Sequence, residues 1–205
     1  KVITTHIPQN LKWEKKYINK EIKNNFSYIY QAIKDRYEIV ILPESTFPLP
    51  LNLYPNLIKK LQKLSKKIVI VTGALNYENK NFYNSTYVFQ NGKFKIYNKH
   101  ILVPFGEYIP ISCCKKFLNK IFFDGAEDYI ASDNFASYNI KNIKFLNAIC
   151  YEATIEKLYQ EKGKYIIAMS NNAWFRNSIE PTLQQLLIEY YSLKYNKYVY
   201  HSRNL

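Results

Sequence analysis

The chain of 205 residues is 47% hydrophobic and 22% charged, which is typical of a globular protein and excludes a disordered or collagen-like chain. Its net charge of +13 favours an anionic partner: a phospholipid surface, a nucleic acid or an acidic substrate. No zinc-finger, RNA-binding or helix-turn-helix signature accompanies the charge, so we expect a membrane surface and no nucleic acid. No stretch reaches the roughly 18 apolar residues that cross a bilayer and no signal-peptide pattern opens the sequence, so this chain alone is expected to be soluble.

In chain order, the segments typical of buried or half-buried strands are 2–6, 39–42, 68–72, 86–90, 94–97, 136–140, 143–149, 165–170 and 198–201. Apolar residues recur at helical spacing over 13–36, 57–64, 154–161 and 181–195. Asn91-Gly92 and Lys141-Asn142 predict two hairpins, and the proline-rich segment 45–55 reads as an unusually apolar loop. This mixture of crossovers and hairpins predicts an α/β fold in a single domain over residues 1–205.

The cysteines and histidines are few and scattered. Cys113 and Cys114 are adjacent and Cys150 stands alone, which fits neither a disulfide framework nor paired metal-binding spacing. The 3 histidines do not cluster in the sequence. We therefore expect no metal and no other cofactor.

Three polar residues follow predicted strands, the position at which α/β folds bind ligands. Glu44 follows strand 39–42, Lys99 follows 94–97, and Cys150 ends the apolar run 143–149. A thiol nucleophile needs a base, which Glu44 would supply, and the resulting oxyanion needs a fixed cation and a backbone N–H, which Lys99 and Tyr151 would supply. On spacing alone, the commoner interpretation is a surface glutamate or helix cap, one lysine among many and a buried, inert cysteine.

Four segments resemble the nitrilase, or carbon–nitrogen hydrolase, superfamily: LPESTFP at 42–48, YNKHILVPFGEYIP at 97–110, NAICYEA at 147–153 and SNNAWF at 170–175. The second segment and the opening HIPQNLKW at 6–13 are similar to the apolipoprotein N-acyltransferase branch of that superfamily. The resemblance runs along the whole chain in the family's motif order. It implies a nitrilase-like α-β-β-α sandwich with mixed sheets.

By this resemblance Glu44 is the general base, Lys99 the oxyanion-stabilising lysine and Cys150 the nucleophile. The resemblance also assigns supporting or substrate-binding roles around this triad. Glu107 matches a second glutamate that supports the lysine and the attacking amine, and the remaining matches are two neighbours of the nucleophile and a tryptophan near the acyl site: Tyr151, Glu152 and Trp13.

The reaction that the resemblance implies is a ping-pong acyl transfer on the periplasmic side of the bacterial inner membrane. A phospholipid would acylate Cys150 as a thioester, and the α-amino group of the diacylglyceryl-cysteine of an apolipoprotein would then take the acyl chain. Apolar segments at 47–54 and 117–123 would meet acyl chains or, equally, fill the core.

The sequence departs from the family pattern in several places. The family's enzymes carry transmembrane helices on both sides of this domain, and none is present in this chain. Asn172 stands where the family usually has an aspartate, and Gln184 or Gln185 where a histidine is common. The chain ends at Leu205, before the usual last strand, so we expect that strand to be missing.

Two other functions remain open at this stage. A soluble amidase or nitrilase would use the same Glu-Lys-Cys triad but resolve the thioester with water, and a silent nitrilase-fold binding domain would keep the motifs only as scaffold.

Overall fold

The computed structural model describes residues 1–9, 14–110, 128–175 and 178–205. The strands are β1 (Thr4–Thr5), β2 (Ile39–Ile41), β3 (Phe47–Pro50), β4 (Val69–Glu78), β5 (Asn81–Gln90), β6 (Lys93–Asn98), β7 (Ser137–Ile140), β8 (Ile143–Ile149), β9 (Tyr165–Asn171) and β10 (Tyr198–Asn204). The helices are α1 (Lys15–Lys34), α2 (Pro55–Leu64), α3 (Glu156–Gln160) and α4 (Glu180–Lys194). Short 3-10 turns cover Leu51–Leu53, Cys150–Thr154 and Asn172–Phe175.

The strands form two five-stranded sheets. The first has the order β1-β10-β9-β8-β7 and is parallel except for the β7–β8 hairpin. The second has the order β2-β4-β5-β6, with β3 also paired to β4. Because β2 is parallel to β4 and β4-β5-β6 is an antiparallel meander, β2 and β6 run in the same direction. Their carboxyl ends therefore lie at the same end of this sheet.

Apolar side chains hold the layers together in the order helix, sheet, sheet, helix. Helices α1 and α2 cover the second sheet, where Ile29 and Val40 are fully buried in one cluster. The two sheets face each other across a second cluster that contains Val71 and Met169. A third cluster, between the first sheet and helices α3 and α4, contains Ile188. This arrangement confirms the α-β-β-α sandwich with mixed sheets.

Two hairpin turns show which strand boundaries could be predicted from the sequence and which could not. Asn91 and Gly92 have φ angles of 53° and 77°, the left-handed conformation that a tight hairpin requires, so this predicted hairpin is confirmed. The predicted limits of β4 and β5 are wrong, because these strands continue to a further hairpin at Asn79 and Lys80. That turn lacks a glycine, and its two residues adopt φ angles of 51° and 65° without one.

The predicted loop 45–55 contains strand β3 and a 3-10 turn, and its apolar side chains are largely core. Phe47 and Leu51 are fully buried, which favours core packing for this part of the segment over contact with acyl chains. The final strand β10 runs to Asn204, beyond the predicted end at residue 201, and pairs with β9 and β1 on its two sides. That the family's usual last strand is missing from this chain stays a prediction.

Several predictions fall on residues outside the described ranges. These are the position of Trp13, the apolar segment 117–123, and the pair Cys113-Cys114. Within the ranges that are described, no helix is long and apolar enough to span a membrane.

Candidate active site

Glu44, Lys99 and Cys150 line a single cavity of about 350 Å³. Each residue follows the carboxyl end of a strand: Glu44 lies beyond β2, Lys99 directly follows β6, and Cys150 directly follows β8. Since β2 and β6 end on the same side of one sheet, and the facing sheet supplies β8, the fold brings together three residues that are far apart in the sequence.

The Glu44 carboxylate is buried, with 7% of the residue exposed, and both of its oxygens accept hydrogen bonds. The Asn84 side-chain amide donates to Oε1 at 2.7 Å, and the Asn171 backbone N–H donates to Oε2 at 2.7 Å. Two such donors, one on each oxygen, fix the orientation of the carboxylate. Asn84 and Asn171 thus contact the candidate base directly.

Lys99 is 1% exposed and forms an ion pair with Glu107, whose Oε2 lies 2.7 Å from the lysine Nζ. Burial by itself would lower the pKa of Lys99, but the negative charges of Glu107 and Glu44 outweigh it and raise that pKa. The ammonium therefore keeps its charge. Glu107 also accepts hydrogen bonds from Asn84 at 2.8 Å and from the Val103 backbone N–H at 2.8 Å.

Cys150 begins a 3-10 turn and has a φ angle of 53°, a left-handed conformation that is uncommon for a residue with a side chain. Burial raises the pKa of the Cys150 thiol, the negative charge of Glu44 raises it further, and the positive charge of Lys99 lowers it. The cysteine is partly exposed, and one side of it contacts the Gln184 amide, whose Nε2 lies 3.9 Å from Sγ.

Glu152 is 2% exposed and ties the Cys150 turn to the segment after Lys99. Its Oε1 accepts the backbone N–H groups of His100 and Ile101 at 2.7 and 3.1 Å, and its Oε2 accepts that of Ile149 at 2.8 Å. Burial raises the pKa of Glu152, while Lys99 and these backbone donors act in the opposite direction. Sequence motifs placed Glu152 beside the nucleophile without indicating these contacts.

The remaining cavity wall is largely aromatic and apolar. Trp174 and Phe175 follow β9, with 62% and 40% of their surfaces exposed, and Phe105 is 41% exposed. Tyr129 also lines the cavity, and burial followed by the charges of Glu107 and Glu44 raises its pKa. Phe105 falls within the motif at 97–110, but the motif did not indicate that it lines the cavity, and Tyr129 lies outside the four motifs.

Tyr151, predicted beside the nucleophile, lies in the Cys150 turn, and 41% of the residue is exposed. Trp13, predicted near the acyl site, lies outside the described residues. In the described part of the chain, no group of three or more His, Cys, Asp or Glu side chains is arranged to hold a metal ion. The cavity brings together a carboxylate, a buried ammonium and a thiol, groups that can act as base, oxyanion stabiliser and nucleophile in covalent acyl transfer.

A family model described as carbon-nitrogen hydrolase matches residues 3–204. Similar proteins are named apolipoprotein N-acyltransferase. The protein from Wolinella succinogenes is 42% identical over 205 residues, and the match covers 99% of this chain and 50% of the relative. The protein from Campylobacter jejuni is 44% identical over 209 residues, with 100% and 45% covered. The chain thus spans about half the length of these relatives.

Solved structures share the fold at much lower sequence identity. A carbon-nitrogen hydrolase from Helicobacter pylori superposes with a TM-score of 0.71 at 12% identity, covering 100% of this chain and 73% of that one. An amidase from Nesterenkonia sp. superposes with a TM-score of 0.69 at 8% identity, covering 99% of this chain and 74% of that one. These likenesses concern the fold alone.

Proposed function

The chain belongs to the carbon–nitrogen hydrolase family, on its apolipoprotein N-acyltransferase branch, and we propose that residues 1–205 form the catalytic domain of a lipoprotein N-acyltransferase. Glu44, Lys99 and Cys150 line one cavity of about 350 Å³, and this shared cavity is the main support for the proposal. Trp174 and Phe175 give the cavity a partly exposed aromatic wall, which suits an acyl chain better than a small polar amide.

In the first half-reaction, Glu44 takes the proton of the Cys150 thiol as Sγ attacks the ester carbonyl of a phospholipid. The C–S bond forms, the carbonyl electrons move to oxygen, and Lys99 and the backbone N–H of Tyr151 stabilise that oxyanion. When the tetrahedral species collapses, the ester C–O bond breaks and Glu44 returns the proton to the departing lysophospholipid. A thioester on Cys150 remains.

In the second half-reaction, the α-amino group of a diacylglyceryl-cysteine attacks the thioester carbonyl. Glu44 accepts a proton from the amine, the C–S bond breaks, and the proton returns to the Cys150 sulfur as the amide is released. Glu107 holds Lys99 in place through the ion pair at 2.7 Å, and its position next to the cavity also suits contact with the incoming amine.

The supporting residues have separate parts in this scheme. Glu152 fixes the turn that presents Cys150 and the Tyr151 N–H, through hydrogen bonds of 2.7 to 3.1 Å to backbone donors on both sides of the site. Trp13, by the family resemblance, contributes to the acyl site. The reaction needs neither a metal nor another cofactor.

The proposed location is the periplasmic side of the bacterial inner membrane. The net charge of +13 would favour approach to anionic lipid headgroups. The relatives named apolipoprotein N-acyltransferase are about twice as long as this chain, so they contain further sequence outside the matched region. Phospholipid is the proposed acyl donor and an apolipoprotein the proposed acceptor. The domain would bind at a membrane surface, and no nucleic acid partner is proposed.

The decisive experiment is mass spectrometry of the Cys150 peptide after the full gene product has been incubated with a diacyl phospholipid in detergent micelles. We expect a mass increase of one acyl group, which disappears when a diacylated lipopeptide is added and reappears on its amine. Cys150→Ala should show neither step.

The other two functions predict different results in two further assays. A soluble hydrolase would cleave small amides with this chain alone and without lipid. A silent binding domain would leave Cys150 unmodified by acyl donors and by thiol reagents alike. Either result would replace the acyltransferase proposal.

A further inference from the structure

Two adjacent glutamines on helix α4 have different environments. Gln184 is 2% exposed and faces Cys150, with its Nε2 3.9 Å from Sγ. Gln185 donates instead to Glu189 at 2.6 Å on the exposed side of the helix. The position that departs from the family's histidine and reaches the nucleophile is therefore Gln184.

Asn172, the other residue that departs from the family pattern, is a hydrogen-bond partner of Gln184. Asn172, also 2% exposed, donates from Nδ2 to the Gln184 Oε1 at 3.1 Å. Asn172 follows β9 and Gln184 lies on α4, so the contact joins two elements on the same side of Cys150. The two departures are therefore physically coupled, and a change at one alters the hydrogen bonding of the other.

The direction of the hydrogen bonds from Asn172 to Gln184 and from Gln184 to Cys150 suits an ionised sulfur. A thiolate can only accept hydrogen bonds, so it needs the NH₂ end of Gln184, and the Oε1 end must then face a donor. Asn172 supplies that donor. Its own Oδ1 has no hydrogen-bond partner among the described residues, so the contact with Gln184 is what orients the Asn172 amide.

The charges around the cavity explain why a neutral donor is useful here. Glu44 and Glu107 line the cavity with Cys150, and Lys99 is the cation paired with Glu107. When Glu44 takes the thiol proton, the negative charge moves from that carboxylate to the Cys150 sulfur, while Lys99 is already paired with Glu107. An amide N–H stabilises that charge without bringing a second cation that would compete with Lys99 for the carboxylates.

We infer that Gln184 is a catalytic residue that donates a hydrogen bond to the Cys150 thiolate, and that Asn172 is a positioning residue that keeps the Gln184 NH₂ group turned towards the sulfur. The inference rests on the proposed role of Cys150 as the nucleophile. It adds a hydrogen-bond donor on the side of the sulfur atom that faces α4.

The test measures the rate of Cys150 alkylation by iodoacetamide as a function of pH in the full gene product. Since the chain also contains Cys113 and Cys114, the product is quantified on the Cys150 peptide by mass spectrometry. For Gln184→Leu we expect the apparent thiol pKa to rise by about one unit, with alkylation about tenfold slower below that pKa. The matched control Gln185→Leu changes the neighbouring glutamine and should keep the original profile.

Asn172→Asp provides a second variant with almost no change in volume. The introduced carboxylate can only accept hydrogen bonds, so it would draw the Gln184 NH₂ group away from the sulfur and turn Oε1 towards it. We expect slower alkylation again, by a similar factor. In Asn172→Asp/Gln184→His, a protonated imidazole could donate to both neighbours, so the double variant should recover most of the rate.

An unchanged pH profile in Gln184→Leu overturns the inference. If that variant does not fold, an unchanged profile in Asn172→Asp overturns it instead, and loss of rate without recovery in the double variant does so as well. Alkylation needs no acyl donor, which separates this inference from the proposed function. A shifted profile without thioester formation would refute only the acyltransferase, whereas normal thioester formation with unshifted profiles would refute only the role of Gln184.

Discussion

Glu152 accepts the backbone N–H of His100 at 2.7 Å, although 52 positions separate the two residues in the sequence. The same carboxylate accepts the Ile149 N–H at 2.8 Å through its other oxygen. One buried side chain therefore joins the strand end before Cys150 to the segment that follows Lys99. The distance between nucleophile and lysine depends on this link.

Glu152→Gln should weaken that link. Glutamine keeps one acceptor oxygen and replaces the other with an NH₂ group, which would face a backbone N–H. Leaving a buried donor unsatisfied costs about 1–3 kcal/mol of unfolding free energy. We expect a loss in this range in urea unfolding, together with faster hydrogen exchange of the Ile149 or His100 amide. Glu156→Gln, at a partly exposed position on helix α3, is the matched control and should change neither amide. Equal exchange in both variants would contradict the role given to Glu152.

Lys99→Met should destabilise the fold more than the loss of an ordinary ion pair. The substitution leaves the Glu107 carboxylate, only 9% exposed, without its cation. Removing one partner of a buried pair typically costs about 3–5 kcal/mol. We expect a loss of this size in chemical unfolding, and a partial recovery in Lys99→Met/Glu107→Gln, which removes the unpaired charge as well.

The control for this prediction is Lys141→Met. Lys141 pairs with Glu38 on the surface, where both side chains are more than half exposed. Solvent screens such a pair, so its removal should leave the unfolding midpoint unchanged. If Lys99→Met were no more destabilising than Lys141→Met, the Lys99–Glu107 pair would not make the contribution to stability proposed for it.

Local signals in the sequence predicted much of the fold and the centre of the site. Alternating or continuous apolar runs located β8 to the residue, and Asn91-Gly92 located a hairpin because only such residues readily adopt its left-handed turn. The limits of β4 and β5 could not be predicted, since Asn79-Lys80 makes a similar turn without glycine. Strand ends drew attention to Glu44, Lys99 and Cys150, and the family resemblance then predicted them as site residues.

The contacts that organise the site were beyond sequence reasoning because they join distant elements. Asn84 lies in the middle of the chain with nothing to show that its amide bridges Glu44 and Glu107. The sequence also could not decide between Gln184 and Gln185, which are the same residue type side by side. The rotation of α4 decides it, and that rotation is fixed by packing of residues such as Ile188 against the first sheet.

Glu44→Gln should separate the ionisation of Cys150 from its catalytic use. The negative charge of Glu44 raises the pKa of the Cys150 thiol, after the larger effect of burial, so removing that charge should lower the pKa. Alkylation of Cys150 by iodoacetamide at neutral pH should then become faster. Acyl transfer should fall by about 10²–10⁴-fold, because the proton acceptor is lost.

The opposite change provides the check on the electrostatic reasoning. The positive charge of Lys99 lowers the pKa of Cys150, so Lys99→Met should raise it and shift the alkylation profile to higher pH. A Glu44→Gln variant whose profile moves in the same direction as that of Lys99→Met would show that charge at these two positions does not govern the thiol.

Gly73→Ala should displace the candidate base without touching its side chain. Gly73 lies in β4, directly beneath the segment that carries Glu44, and a Cβ there would meet the Ser45 backbone N at 2.6 Å, the Glu44 Cα at 2.7 Å and the Pro43 O at 2.9 Å. Backbone atoms at such distances must move. Overpacking of this kind costs about 1–3 kcal/mol, and the Glu44 carboxylate would shift away from Asn84.

Gly92→Ala is the matched control for Gly73→Ala. Gly92 has a φ angle of 77° in the β5–β6 hairpin, so alanine is strained there and should cost about 1–3 kcal/mol, far from the cavity. Both variants should therefore unfold at lower urea concentrations. Only Gly73→Ala should also lose acyl transfer per folded molecule, measured well below the unfolding transition, because the displaced segment carries the proton acceptor. Equal activity per folded molecule in the two variants would mean that the close approach at Gly73 supports stability alone.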